Sequence, residues 1–162
     1  MNNSMIILYT GEYSNDDAYE RVLSYVSNKN YVCGYAVPVP IERDSLIASY
    51  REANENSNYE ASRYIWHFTI SLPETSNLVR FMCVADSIAK VFAYDYQVLY
   101  SLDLATDHPH IHFAINNYSY HPDKCPLSED IFDSYIRQSL SILQSFYPTY
   151  KAKIEHQEGR YV

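Results

Sequence analysis

The sequence predicts an α+β protein: a central, mainly antiparallel β-sheet flanked by helices. Three observations carry this. Short runs rich in β-branched and aromatic residues alternate with stretches whose apolar residues recur at helical spacing. Two of the strand-like runs, residues 96–102 and 111–116, follow one another with only a loop between them, as an antiparallel pair does. The remaining strand-like runs are separated by helices of ten or more residues, the pattern of a sheet with helices packed against it.

Met5-Ile6-Ile7-Leu8-Tyr9 is a β-type run closed by Gly11, and Asn15-Asp16-Asp17 offers N-cap chemistry for a helix carrying Ala18, Val22, Tyr25 and Val26 on one stripe. That helix ends near Asn28-Lys29-Asn30. Residues 31–39 read as extended, punctuated by Gly34 and Pro38, and residues 41–53 as helix. Residues 54–58, Asn-Glu-Asn-Ser-Asn, read as a polar loop. Residues 64–72 give the clearest strand, stopped by Pro73. Residues 74–92 then place Leu78, Phe81, Met82, Ala85, Ile88, Ala89 and Phe92 at helical spacing. Residues 128–146 form the last helix, with Ile131, Tyr135, Leu140 and Leu143 inward, and residues 150–156 add an edge strand.

At 162 residues and 47% hydrophobic content, a single domain over 1–162 is expected, with no appended helicase or primase domain. The apolar runs are too short to span a bilayer and the first residues lack a signal-peptide layout, so a cytoplasmic protein without membrane contact is expected. Cys33, Cys83 and Cys125 are odd in number and widely spaced, which indicates neither a disulfide framework nor a zinc knuckle. The net charge of −8 excludes coating of nucleic acid by bulk electrostatics, while leaving room for a local basic groove. Eighteen tyrosines suit stacking on single-stranded bases and half-buried strands equally well.

The chemistry concentrates in Asp107-His108-Pro109-His110-Ile111-His112-Phe113-Ala114-Ile115-Asn116, which holds three of the six histidines at alternate positions. On a strand, alternate side chains share a face, and two imidazoles at i, i+2 can reach one divalent cation. Three chemistries could use such a cluster. Histidine-triad nucleotide hydrolysis fits the spacing, but the Leu104-Ala105-Thr106 segment lacks the Gly and Gln that would cradle a phosphate. Two-histidine phosphoesterase chemistry finds one His-x-Thr motif in His67-Phe68-Thr69 and no second. A metal-binding His-hydrophobic-His pair, His110 and His112, combined with a tyrosine nucleophile fits more of the chain.

That run resembles the metal motif of the relaxases, the mobilisation and conjugation nucleases of the His-hydrophobic-His (HUH) endonuclease superfamily, down to the closing Asn116. Trp66-His67-Phe68-Thr69-Ile70-Ser71-Leu72-Pro73 resembles their His-strand-Ser-x-Pro segment. Arg21-Val22-Leu23-Ser24-Tyr25-Val26-Ser27-Asn28-Lys29 resembles the N-terminal motif that carries the nucleophile. The resemblance implies site-specific nicking and joining of single-stranded DNA through a 5′-phosphotyrosine on Tyr25. His67 then acts beside the metal, and Lys29 and Asn116 contact DNA. It also implies a divalent cofactor, Mg²⁺ or Mn²⁺, held by His110, His112 and Asp103, the last standing where these enzymes usually carry a third histidine, with His108 or His67 as the alternative third ligand. Tyr147, in Tyr147-Pro148-Thr149-Tyr150-Lys151, is the alternative nucleophile. The acidic balance points to an accessory DNA-binding protein as a further partner. The competing expectation is a nucleic-acid-binding or accessory protein that keeps the fold without catalysis.

Overall fold

The computed structural model describes residues 4–10, 13–72, 77–105 and 109–157. These form six strands and four helices in the order β1 (Ser4–Thr10), α1 (Ala18–Ser27), β2 (Asn30–Tyr35), α2 (Arg43–Asn56), β3 (Ile65–Ser71), α3 (Leu78–Ala93), β4 (Tyr96–Asp103), β5 (His110–Ser119), α4 (Glu129–Phe146) and β6 (Lys151–Gln157). One sheet contains all six strands, ordered β2-β4-β5-β3-β1-β6. Every pairing is antiparallel except β1 with β6. The α+β expectation is met, and β4 and β5 pair directly as the short loop between them requires. Gly11, Pro73, residues 74–76 and residues 106–108, including Asp107 and His108, lie outside the described residues.

The sheet has two chemically different faces, because its side chains alternate with period two. On one face Trp66, Phe68, Ile70, Tyr96, Val98, Leu102, Ile111, Phe113 and Ile115 meet Phe81, Ile88 and Phe92 of α3 and Phe132, Ile136 and Leu143 of α4. Phe68 stacks on Phe113 with ring centroids 4.7 Å apart and meets Phe132 edge-on. The other face is covered by α1 and α2, where Ile65, Leu99 and Ala114 pack with Val22, Leu23, Val26, Leu46 and Tyr50. On this second face the strands also carry His67, Thr69, Gln97, Ser101, Asp103, His112 and Asn116, all buried. Burying so many polar groups under two helices costs free energy unless each is bonded, which marks this face as the one under chemical constraint.

Three sequence expectations shift. Asn54 to Asn56 form the last turn of α2 instead of a loop, with the Asn54 amide donating to the Tyr19 hydroxyl at 3.3 Å. Strand β2 ends at Tyr35 because Ala36 adopts φ 54° and two prolines follow. Gly34 lies in that strand where a Cβ would stand 2.7 Å from the Val98 carbonyl oxygen. On α4 the buried stripe is Phe132, Ile136, Ser139 and Leu143, so Ile131, Tyr135 and Leu140 form its half-buried shoulder; Met82 of α3 is exposed. Among the described residues no helix is long and apolar enough to cross a membrane.

Candidate active site

The titratable groups of the polar face gather at one end of the sheet. There β4 finishes at Asp103, β5 begins at His110, and the register sets Asp103 opposite His110, with Ser101 and Thr69 on either side of His112. His67, diagonal to His112 on β3, brings its Nε2 to 3.3 Å from His112 Nδ1. The two rings lie nearly parallel with centroids 5.6 Å apart, and the His110 ring is 6.2 Å from that of His112.

Helix α1 lies over this group and presents Tyr25 on its half-buried rim. The Tyr25 ring meets His112 edge-on at 5.3 Å between centroids and His67 edge-on at 5.8 Å. Among the described residues its hydroxyl has no hydrogen-bond partner. One turn on, just past the helix end, the Lys29 ammonium sits 4.1 Å from the centroid of the Tyr25 ring and 3.3 Å from Asp103 Oδ2. One turn earlier Arg21 lies 5.9 Å from the ring of Tyr13, which in turn flanks His67 at 6.1 Å. Arg21 also pairs with Asp17 at 3.7 Å, so Lys29 is the cation that lies against the Tyr25 ring itself.

Electrostatics follow from burial. Desolvation, reinforced by His112 and Lys29, pushes the pKa of His67 down to about 3. Burial and Lys29 take His112 down to about 4 against the pull of Asp103. Both imidazoles are therefore neutral at pH 7. For Asp103, burial works to raise the pKa, but the Ala105 amide and the Lys29 ammonium hold the carboxyl below the usual range. The Asp103 carboxylate, 3.8 Å from His112 Nε2, favours a hydrogen on that nitrogen. His67 Nε2 then donates to His112 Nδ1, an assignment made from the surrounding charges.

The sequence-predicted residues separate into three groups. Tyr25, His67, His112, Asp103 and Lys29 are brought together, and His110 stands beside them at the same end. Asn116 shares the face but is fully buried two residue pairs further in, with its side-chain bonds made inside the protein instead of at the surface expected of a DNA contact. Its Oδ1 accepts from the Tyr19 hydroxyl at 3.0 Å and the Tyr118 amide at 3.2 Å, while Nδ2 donates to the Tyr50 carbonyl and to Gln97 Oε1. It clamps α1 and α2 to the sheet. Asn116→Ala strands these partners and should lower stability by about 2 kcal/mol, read as a shifted urea midpoint. Tyr147 packs with the α3/α4 core on the far face, under Arg80, and does not reach the cleft. Sequence reasoning missed Tyr13, Arg21, Thr69 and Ser101. Thr69 and Ser101 were accessible by counting twos along β3 and β4 from His67 and Asp103, and Arg21 by counting one turn back from Tyr25.

His110, His112 and Asp103 supply nitrogen and oxygen donors in register on one face, which fits a divalent ion in kind. The buried Ser101 hydroxyl beside His112 has no hydrogen-bond partner among the described residues, a further polar atom facing the same place. As the groups stand, no three imidazole, carboxylate or thiolate groups among the described residues converge on one point. Lys29 holds the Asp103 carboxylate, and the His112 lone pair faces His67.

A family model described as the nuclease domain of MobA/VirD2-like relaxases matches residues 25–141, from Tyr25 through β5 and most of α4. Such domains nick DNA in plasmid mobilisation, act on single strands and depend in general on a divalent metal. Neither a curated protein nor a solved structure matches the chain. With a consistent fold and well over half of its length matched by the family model, the chain belongs to the MobA/VirD2-like relaxase family.

Proposed function

We propose that this cleft nicks and rejoins single-stranded DNA through a covalent tyrosine intermediate, with Tyr25 as nucleophile. The observation that carries the reading is the position of the Tyr25 ring, edge-on to both His67 and His112 with the Lys29 ammonium over its face. The Tyr25 oxygen bonds to phosphorus as the bond from phosphorus to the 3′-oxygen breaks. The product is a 5′-phosphotyrosine and a 3′-hydroxyl, and attack by a 3′-hydroxyl reverses the step. The phenolic proton passes to His67, whose basicity recovers when a phosphodiester anion enters beside it, and is returned to the departing 3′-oxygen to give the hydroxyl. Lys29 neutralises the phosphate and supplies local affinity that the net charge of −8 does not.

His110, His112 and Asp103 are the residues that would hold Mg²⁺ or Mn²⁺. When bound, the ion supplies Lewis-acid polarisation of the scissile phosphate. The second reading, a relaxase-like binding or accessory protein without catalysis, draws support from the engagement of Asp103 by Lys29.

One experiment separates the two. The protein is incubated with labelled single-stranded oligonucleotides of mixed sequence and Mn²⁺, then denatured. A labelled band at the mass of protein plus DNA fragment, mapped to the Tyr25 peptide, is the expected result. Oligonucleotide binding without any adduct favours the binding module.

A further inference from the structure

We propose that Lys29 is the resident cation of this cleft, competing with a divalent ion for Asp103 and surrendering the carboxylate when a phosphodiester draws the ammonium away. The inference rests on the nicking reading for its DNA half only.

Among the described residues Asp103 is the carboxylate that the strand register aligns with the two histidines, and its Oδ2 lies 3.3 Å from Lys29 Nζ. Both side chains are largely removed from water, at 21% and 12% exposure, so their attraction is stronger than that of a surface pair. A divalent ion on the same carboxylate would face the ammonium at close range, and the repulsion lowers its affinity. Lys29 is nonetheless able to leave. It follows the last turn of α1, before β2 begins, and its charge sits on a flexible four-carbon stem. Its ammonium already lies over the Tyr25 ring, so a phosphate arriving at the Tyr25 hydroxyl comes within reach of it. Moving toward that phosphate frees Asp103. The unpartnered Ser101 hydroxyl stands beside His112, where an ion or one of its water ligands would complete its bonding. Metal and DNA would then favour each other, and linkage makes the effect equal in both directions.

The test uses the full chain in a Tyr25→Phe background, so that no bond is cut. Mn²⁺ is titrated by electron paramagnetic resonance, with and without an unlabelled single-stranded oligonucleotide. Lys29→Met should bind Mn²⁺ at least about tenfold more tightly than the parent when DNA is absent. The oligonucleotide should tighten Mn²⁺ binding about tenfold in the parent and less than about threefold in Lys29→Met. Lys29→Arg keeps the charge and should follow the parent, which separates competition from a folding defect. His112→Ala should remove the tight Mn²⁺ in both backgrounds, placing the ion in the cleft. Mn²⁺ binding no tighter in Lys29→Met, or unaffected by His112→Ala, overturns the competition. An oligonucleotide that leaves the parent's Mn²⁺ affinity unchanged overturns the release step. Failure of the covalent-adduct experiment speaks against nicking alone and leaves the DNA-free comparison standing.

Discussion

Tyr25→Phe should reduce covalent adduct formation by roughly 10³-fold or more while leaving oligonucleotide affinity within about threefold. The variant removes one oxygen and nothing else. The phenylalanine ring still meets His67 and His112 edge-on and still lies beneath the Lys29 ammonium. Because no hydrogen bond to the hydroxyl exists among the described residues, its loss should change stability by less than about 0.5 kcal/mol. A residue that is merely core would behave differently, losing stability and leaving chemistry alone. Tyr147→Phe, on the far face, should leave the adduct intact. Measurement is by denaturing gel and by fluorescence anisotropy on the same samples, and an adduct of undiminished yield in Tyr25→Phe would move the nucleophile elsewhere.

The second large effect is on stability and pH. His67 and His112 have native pKa values of about 3 and 4, while an exposed histidine titrates near 6.5. Below pH 6.5 the unfolded chain therefore binds protons that the native chain refuses, and stability falls as the pH falls. Each group contributes up to about 1.4 kcal/mol per pH unit in that window, so the pair should cost about 3 to 4 kcal/mol between pH 7 and pH 5. The loss continues to about pH 3 to 4, where the native imidazoles finally protonate. Asp103 acts in a lower window, since its carboxyl pKa is depressed and its stabilisation disappears only as the pH passes down through the carboxylate range. Urea denaturation at pH 7, 6 and 5 reads this directly. His67→Gln should remove about half of the slope, and a midpoint that stays constant from pH 7 to 5 would refute the buried neutral pair.

The sheet was readable because its strands alternate so strictly. Ile111, Phe113 and Ile115 point one way and His110, His112 and Ala114 the other, and that period survives any uncertainty about strand ends. The α4 stripe was read one position off because Ile131, Tyr135 and Leu140 are apolar too, and only the approach angle of the helix selects Phe132 and Ile136 in their place. Tyr25, Lys29 and the histidines could be named from local spacing, since one helix end and two strands carry them. The role of Asn116 could not be named, because its four partners come from residues 19, 50, 97 and 118, and no window of sequence contains them together. The same holds for the ion pair between Lys29 and Asp103, 74 positions apart, which decides how the donor set is presented.

Trp66 follows from the alternation that places its neighbour His67 in the cleft: it projects to the opposite side, stacked on Phe132 at 3.9 Å with the Arg63 guanidinium 3.6 Å above the ring. Its indole N–H donates to Asn117 Oδ1 at 2.7 Å. As the sole tryptophan of the chain, it is an optical reporter on the sheet face opposite the histidines. Its emission should follow whether the α3/α4 layer is intact, since its ring packs on Phe132 of α4. Folding can accordingly be followed by fluorescence from the face away from the histidines.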